Sequence, residues 1–216
     1  ASYNDIYVVK TNSAGDTVWT RRYGGSGDDK GYGIKQTADD GYIIVGTSTS
    51  FGSGDSDVYL IKTDGSGNID WSNNYGGTAD DAGHSVVETP DGDYVIGGVT
   101  SSYSSSQDIY ILKVDGSGNS LWEQWYGGSR DENGGYSIAR TSDGGYILVG
   151  SSLSFAVGEP QKVYLIKTDL SGTLQWQRSY NEGGDARGTS VQEVSTGGYI
   201  VTGSQKNVSG IENVYI

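Results

Sequence analysis

Residues 57–64 read DVYLIKTD, and this stretch decides the fold because near-copies of it recur along the chain. The copies are DIYVVKTN at 5–12, DIYILKVD at 108–115, KVYLIKTD at 162–169 and NVYI at 213–216. Their tyrosines are 52, 51, 54 and 51 residues apart: Tyr7, Tyr59, Tyr110, Tyr164 and Tyr215. A fixed period near 50 residues is typical of repeat architectures, so the repeat is the first property to explain.

Three other segments recur with the same period. A tryptophan is followed four residues later by a tyrosine, at Trp19, Trp71, Trp122 and Trp176. The next segments are GYGIKQT at 31–37, GHSVVET at 83–89, GYSIART at 135–141 and GTSVQEV at 188–194. The last are GYIIVG at 41–46, DYVIGG at 93–98, GYILVG at 145–150 and GYIVTG at 198–203. All are rich in β-branched and aromatic residues and are bounded by turn formers, so each unit is predicted to form four short strands.

Consecutive apolar residues within one strand predict that both faces of each sheet are covered. Residues 58–61 are all apolar, whereas a sheet with one wet face alternates apolar and polar residues. Sheets buried on both faces with this period predict an all-β fold, a β-propeller of four-stranded blades in about four repeats of 51–54 residues. It is a single domain over 1–216, with repeats starting near 5, 57, 108 and 162 and a partial fifth strand at 213–216. A stacked β-sandwich array is the alternative.

The composition excludes several function classes. The 216 residues carry a net charge of -13, with no Cys and one His, so disulfides, thiolate chemistry and multi-His metal sites are excluded. The negative charge would repel a phosphate backbone, which argues against nucleic acid as a partner. No apolar stretch is long enough to span a bilayer. The chain begins at Ala1 and has no Met, which favours an exported, processed product, although a piece of a longer chain would look the same.

The order GHSVVET, DYVIGG, DIYILKVD and then Trp122 resembles the kelch-type blade. The chain also resembles secreted bacterial and archaeal propeller repeats that read W, YGG, T-x-D-G-G-Y, G-x-T-x-S and D-x-Y-x-x-K-x-D-x-x-G. Only Gly97 and Gly98 give a true Gly-Gly in the second strand, and the fourth repeat lacks the acidic pair. The resemblance implies an extracellular scaffold, and it implies no particular chemistry because propellers host many functions.

Acidic residues follow each Trp-bearing strand and are the candidate metal ligands. They are Asp28 with Asp29, Asp80 with Asp81, Asp131 with Glu132, and Asp185 alone in the fourth repeat. Adjacent carboxylates repel each other unless they are solvated or bridged, and a hard cation with oxygen ligands, such as calcium, is the usual bridge. The alternative is that one carboxylate caps a turn while the other faces water.

The connection between the second and third strands varies from repeat to repeat and carries an aromatic ring. Phe51, Tyr103 and Phe155 each lie five residues after the glycine that ends the second strand. Variable loops on a regular scaffold often carry binding sites, so these rings could form a stacking platform for glycans. The alternative is that each ring fills a gap between blades.

His84 and the tryptophans have an architectural interpretation. His84 is the only imidazole and occupies the register of Tyr32 and Tyr136 on the predicted innermost strand. No nucleophile, base and oxyanion site can be assembled from the sequence, so we expect no enzymatic activity. The repeat-register tryptophans are expected to pack between blades, whereas Trp125, one residue before Tyr126, is out of register and should be more exposed.

The two ends of the chain carry redundant strands. The chain opens with a third and a fourth strand and ends with a first and a second, after which 213–216 repeat the strand already provided by 6–9. Two equivalent strands compete for one place, and an unpaired strand invites pairing with another chain. We therefore predict assembly into homo-oligomers or filaments through Ile6, Tyr7, Val8, Val9, Asn213, Val214, Tyr215 and Ile216. The predicted function is an extracellular structural or interaction module; a lectin-like carbohydrate-binding module is the alternative.

Overall fold

We describe the protein from a computed structural model, which covers residues 3–155, 160–206 and, for the backbone only, 212–215. These residues form seventeen β-strands in five antiparallel sheets. No helix that could cross a membrane was found among them. The all-β class predicted from the sequence is therefore confirmed.

The strands follow one another as a meander within each sheet. The first sheet contains β1 (Ile6–Thr11) and β2 (Thr17–Tyr23). The second contains β3 (Asp29–Gln36), β4 (Tyr42–Ser48), β5 (Asp57–Thr63) and β6 (Ile69–Tyr75). The third contains β7 (Asp81–Glu88), β8 (Tyr94–Thr100), β9 (Asp108–Val114) and β10 (Ser120–Tyr126). The fourth contains β11 (Glu132–Arg140), β12 (Tyr146–Ser152), β13 (Lys162–Thr168) and β14 (Leu174–Tyr180), and the fifth β15 (Ala186–Glu193), β16 (Tyr199–Lys206) and β17 (Glu212–Tyr215).

Successive sheets pack against each other in chain order. The first strands of neighbouring four-stranded repeats lie together, since β3 contacts β7, β7 contacts β11 and β11 contacts β15. The Trp-bearing strands β6, β10 and β14 form the opposite edges of their sheets. In the part of the chain that the structure describes, the first sheet has two strands, the fifth has three, and the two sheets are not hydrogen-bonded to each other.

Burial separates the inner sheets from the terminal ones. Every residue of β5, β8, β9 and β12 is buried, as the consecutive apolar residues predicted. In contrast, β1 and β16 alternate between covered and more exposed positions. A sheet in the interior of the stack has a neighbour on both faces, whereas a sheet at either end has a neighbour on one.

The short strand near the C-terminus pairs within its own chain. In β17, Glu212 to Tyr215 pair with Lys206 to Gly203 of β16, in the place that β5 takes beside β4. Three of the predicted assembly residues, Asn213, Val214 and Tyr215, therefore pair with a strand of their own chain. The fourth, Ile216, lies outside the described residues. At the other end, β1 pairs with β2 alone among the described strands.

The repeat-register tryptophans pack between sheets, which confirms the sequence-based expectation. The ring of Trp71 on β6 lies 6.1 Å from that of Tyr94 on β8 of the next sheet, centroid to centroid. Its indole Nε1 donates a hydrogen bond of 3.0 Å to the carbonyl oxygen of Gly116. Trp125 is more exposed, at 42%.

Replacing Trp71 with Ala should therefore lower the free energy of unfolding by about 3 kcal/mol, near the lower end of values for large-to-small core substitutions because the ring is partly exposed. Trp125→Ala should cost less than about 1 kcal/mol, the range typical of surface substitutions. Urea unfolding of both variants measures the difference. A larger loss for Trp125→Ala would contradict the packing described here.

Candidate functional site

The first two sheets contact each other at one hairpin turn, and we call this contact between successive sheets a joint. Gly67, with a positive φ of 77°, lies in the turn between β5 and β6. The hydroxyl of Tyr23 on β2 donates a 2.8 Å hydrogen bond to its carbonyl oxygen. Arg21 Nη2 donates one of 2.8 Å to the carbonyl of Ser66, and the Trp19 ring lies within 3.1 Å of where a Cβ on Gly67 would be. A side chain larger than hydrogen does not fit at this turn.

The same joint recurs between the second and third sheets and between the third and fourth. Tyr75 donates its hydroxyl hydrogen to Gly118 O at 2.6 Å, and Tyr126 donates to Gly172 O. Burial raises the pKa of the Tyr75 phenol to about 12, so the hydroxyl remains a donor throughout the physiological range. Each turn glycine is covered by the aromatic residues of the preceding sheet.

At the C-terminal end the same side chains surround a groove. Trp176, Arg178 and Tyr180 on β14 stand in the register of Trp19, Arg21 and Tyr23. Tyr180 is 46% exposed, compared with 5% for Tyr23. The groove holds about 600 Å³, and its lining comprises Val163, Leu165, Trp176, Arg178, Tyr180, Tyr199, Ile200 and Val201.

At the N-terminal end the corresponding hairpin is uncovered. Tyr7 is 60% exposed, whereas its counterpart Tyr59 is 4% exposed because the first sheet covers it. Val9 is also exposed, while its counterpart Ile61 is buried. Gly15, in the turn between β1 and β2, has nothing within 4 Å of where its Cβ would be. The predicted assembly residues of β1 therefore lie on two faces of the strand. Ile6 and Val8 pack on the second sheet, whereas Tyr7 and Val9 are exposed on the opposite face.

The predicted metal ligands have different partners within each pair. The first members accept hydrogen bonds from the residues just before a strand of the preceding sheet: Asp28 from Asn4 N, Asp80 from Ser56 Oγ, Asp131 from Gln107 N and Asp185 from Gln161 N. The backbone N–H of Asn4 lowers the pKa of the Asp28 carboxyl. These residues therefore join the sheets through exposed hydrogen bonds.

The second members are buried instead. Asp29, Asp81 and Glu132 each accept a hydrogen bond from the backbone N–H of the second glycine of the preceding Tyr-Gly-Gly triplet. Each also accepts one from a serine hydroxyl on the neighbouring loop or strand, Ser50, Ser102 or Ser152. No group of three or more His, Asp or Glu side chains that could hold a metal is present in the described ranges.

Sequence analysis did not select the carboxylates that the fold brings to these buried residues. Asp57 begins β5 and approaches Asp81 at the start of β7; Asp108 begins β9 and approaches Glu132 at the start of β11. The signal was present, because the D-x-Y motif recurs and its acid is replaced in the fourth repeat by Lys162.

The aromatic loop residues each contact a tyrosine of the third strand in their own repeat. Phe51 lies 5.5 Å from Tyr59 and Phe155 lies 5.1 Å from Tyr164, measured between ring centroids. Tyr103 lies 6.0 Å from Tyr110 and also stacks on Trp125 at 4.8 Å. The rings remain partly accessible, so the glycan platform stays a prediction.

His84 is held by structural contacts on β7, the first strand of its sheet. Its Nδ1 lies 2.7 Å from the carbonyl oxygen of Gly134, and its ring stacks on Tyr136 at 5.1 Å and meets Tyr32 edge-on at 5.4 Å. Burial lowers the pKa of the imidazole, which therefore stays neutral near pH 7.

Comparisons with known proteins support the fold alone. No family model and no curated protein matches the sequence. A protein of unknown function from Dyadobacter fermentans is similar in structure, with a TM-score of 0.53 and 10% identity over 92% of this chain. The match spans 62% of that protein, so this chain corresponds to less than two thirds of its length. An ACO/RPE65 chimera matches with a TM-score of 0.45 and 12% identity, over 93% of this chain and 53% of its own, too low to carry an argument.

Buried lysines fasten the third strand of each complete sheet. Lys62 Nζ lies 2.7 Å from Asp39 Oδ2, and Lys167 Nζ lies 3.0 and 2.9 Å from the two carboxylate oxygens of Asp143. Hydrogen bonds from Lys62 and Thr37 hold the pKa of Asp39 at about 2. Hydrogen bonds from Thr141 and Lys167 lower the pKa of Asp143.

These lowered pKa values predict acid sensitivity. Because the folded-state pKa is below the unfolded value, this stabilisation is present above about pH 4 and is lost as the pH falls towards 2. Asp143→Asn should lower the stability at pH 7 by about 1 to 2 kcal/mol, since it weakens a hydrogen bond to a buried ammonium group. The same variant should lose less stability between pH 4 and 2 than the parent does, which thermal unfolding at several pH values would measure. An equal loss in both proteins would contradict this assignment.

Proposed function

We propose that this chain is a propeller-type structural module, exported from the cell, that joins end to end with further copies of itself. Three features support a propeller: sheets packed face to face in chain order, first strands that lie together, and Trp-bearing strands at the opposite edges. The resemblance to secreted repeats supports an extracellular location. The absence of Cys is compatible with this, and no catalytic constellation argues for an enzyme.

One observation carries the proposal. At three contacts between successive sheets, a hairpin turn packs against a Trp and a Tyr of the preceding sheet, whereas the groove beside Trp176 and Tyr180 has no such turn packed in it among the described residues. In these three joints, a hairpin of the following sheet presents its turn glycine to a Trp and a Tyr. The groove has the same Trp and Tyr, and among the described residues β17 alone represents the third and fourth strands of its sheet.

The β1–β2 hairpin of a second copy has the shape and chemistry to fill the groove. Its turn carries Gly15 in the register of Gly67, with a similar positive φ of 87°. Its exposed Tyr7 and Val9 correspond to residues that are buried against the preceding sheet in every complete repeat. Arg178 would donate to a turn carbonyl as Arg21 does to Ser66. The interface therefore repeats the internal joint between two different chains.

Backbone pairing would complete the fifth sheet at the same time. The unpaired edge of β1 would add beside β16, giving the order β15, β16, β1 and β2 of a complete sheet. β17 already covers the part of β16 from Gly203 to Lys206, and no described strand pairs with the part from Tyr199 to Thr202 on that side. The incoming β1 competes with β17, so the tail limits assembly rather than driving it.

Substitution of the groove tests this function. Ile200→Asp places a charge in the groove, and Leu121→Asp on β10 is a matched control because both side chains are 51% exposed. At millimolar protein and about 150 mM salt, where distant charges are screened, light scattering should detect oligomers for the parent and for Leu121→Asp. Ile200→Asp should weaken association at least tenfold. Deleting residues 212–216 should strengthen it.

A mixing experiment establishes the head-to-tail direction. Tyr7→Asp damages the hairpin and leaves the groove intact, whereas Ile200→Asp does the reverse. Neither variant should associate alone, and an equimolar mixture should form one-to-one dimers. Monomers in all these samples, including the parent lacking residues 212–216, would overturn the proposal.

A lectin-like module is a second candidate, favoured by one cluster. Trp125 stacks on Tyr103 and is exposed, and the nearby Glu123 carboxylate accepts hydrogen bonds from the hydroxyls of Tyr103 and Tyr110. An exposed aromatic face next to a carboxylate is suited to stacking on a sugar ring and accepting its hydroxyl hydrogens. Glycan-array binding by the parent that disappears in Trp125→Ala would favour this candidate over the structural role.

A further inference from the structure

Carboxylates from neighbouring sheets meet beside the first glycine of each Tyr-Gly-Gly triplet, and all of them except the exposed Asp5 are buried. A Cβ atom placed on Gly24 would lie 2.5 Å from Asp29 Oδ2 and 2.6 Å from Asp5 Oδ1. At Gly76 the nearest atoms are carboxylate oxygens of Asp81 and Asp57. The glycine thus preserves a small space between two acidic side chains, and a Cβ atom would close it.

The third copy of this arrangement is almost completely enclosed. Asp108 is 3% exposed and Glu132 is completely buried. The position of a Cβ on Gly127 is nearest to Asp108 Oδ1 and Glu132 Oε2, so these two oxygens point into one space. Asp108 Oδ1 is buried and has no hydrogen-bond partner. In the first two copies the unpartnered oxygens are Asp29 Oδ1 and Asp81 Oδ1, whereas Oδ2 of each residue faces the glycine and accepts hydrogen bonds from a backbone N–H and a serine hydroxyl.

A positive charge between the two carboxylates of each pair would offset their mutual repulsion. Burial, followed by repulsion from Glu132, raises the pKa of Asp108; burial and repulsion from Asp81 raise that of Asp57. The ion pairs of Lys62, Lys113, Lys167 and Lys206 involve other carboxylates. Two buried carboxylates without a counter-charge repel each other and lose hydration, which a cation between them would offset.

The fourth repeat supplies an internal comparison, because its residues change together. Lys162 replaces the first acid, Ala186 replaces the second, and Asn181 stands in place of the glycine. The side-chain nitrogen of Asn181 donates hydrogen bonds of 3.1 Å to Gln161 O and 2.9 Å to Gly184 O. In this copy a neutral donor reaches the backbone oxygens that border the site.

We propose that a hard divalent cation of the calcium class binds between successive sheets, at Asp108 with Glu132, at Asp57 with Asp81, and at Asp5 with Asp29. By comparison with the hydrogen bonds of Asn181, the carbonyls of Gln107 and Arg130 would be further oxygen ligands at the third-repeat site. Calcium takes six to eight oxygen ligands and accepts water among them, so two carboxylates, two carbonyls and water suffice. These sites differ from the adjacent acidic pairs, whose first members bind the preceding loop.

Calcium titration of the chelator-treated full chain tests this proposal. We expect up to three equivalents to bind by calorimetry and the thermal midpoint to rise, because the ligand binds the folded state. Asp108→Asn with Glu132→Gln should bind one equivalent fewer. Asp131→Asn is the matched control, since it changes the adjacent carboxylate and should keep the full stoichiometry.

The reciprocal experiment adds a site. Changing Lys162→Asp, Asn181→Gly and Ala186→Asp together gives the fourth repeat the residues of the second, and this variant should bind one additional equivalent. Performing both titrations in the Ile200→Asp background separates cation binding from self-association, so either proposal can fail without the other.

A shared proton is the competing explanation for the buried pairs. In that case calcium would release no heat at pH 7, and the thermal midpoint of Asp108→Asn would exceed that of the parent with and without calcium. That result would overturn the proposal, as would loss of a binding equivalent in Asp131→Asn with none in Asp108→Asn, Glu132→Gln.

Discussion

Sheets that are apolar on both faces require a neighbour on each side, and this constraint organises the whole protein. The inner strands β8 and β9 are buried on both faces because complete sheets flank them. The stack must therefore either close on itself or present two open faces at its ends. The described chain presents two, one at Tyr7 and Val9 and one at Tyr180 and Ile200. The function we propose follows from the exposure of these ends rather than from any catalytic group.

Because the sequence repeats, equivalent positions within the protein can be compared with one another. The same joint is present with its turn glycine at Gly67, Gly118 and Gly172, and without such a turn beside Trp176. The same carboxylate pair is present three times and is absent where Lys162 occurs. A contact that recurs under different surrounding sequences must be specified by the few residues that it shares. This comparison is the basis for proposing both docking at the end groove and cation binding at the carboxylate pairs.

The sequence predicted the strands closely and the sites incompletely. Strand positions could be predicted because β-branched runs and turn residues are local signals, and the tryptophan packing followed from repeat register. The pairing of Asp108 with Glu132 could not, because it depends on how far one sheet is displaced from the next. The adjacent acids were predicted to share a cation because they are neighbours in sequence. At the start of a strand, however, successive side chains point in opposite directions, so Asp131 and Glu132 contact different partners. The sequence predicted that residues 213–216 take part in assembly between subunits, whereas β17 pairs with β16 of its own chain; two equivalent strands matched one place, and this intrachain pairing could not be read from the sequence alone.

The two proposals are independent of each other because the joint beside the end groove lacks an acidic pair. The space between the fourth and fifth sheets is bordered by Lys162 and Ala186, and Asn181 satisfies its carbonyls with protein donors. That joint borders the end groove and therefore does not depend on a bound ion when a second copy docks. Cations would stabilise the joints within each subunit, whereas the contact between subunits would rest on aromatic packing and strand pairing. Calcium should thus set the stability of each subunit and leave the affinity between subunits nearly unchanged.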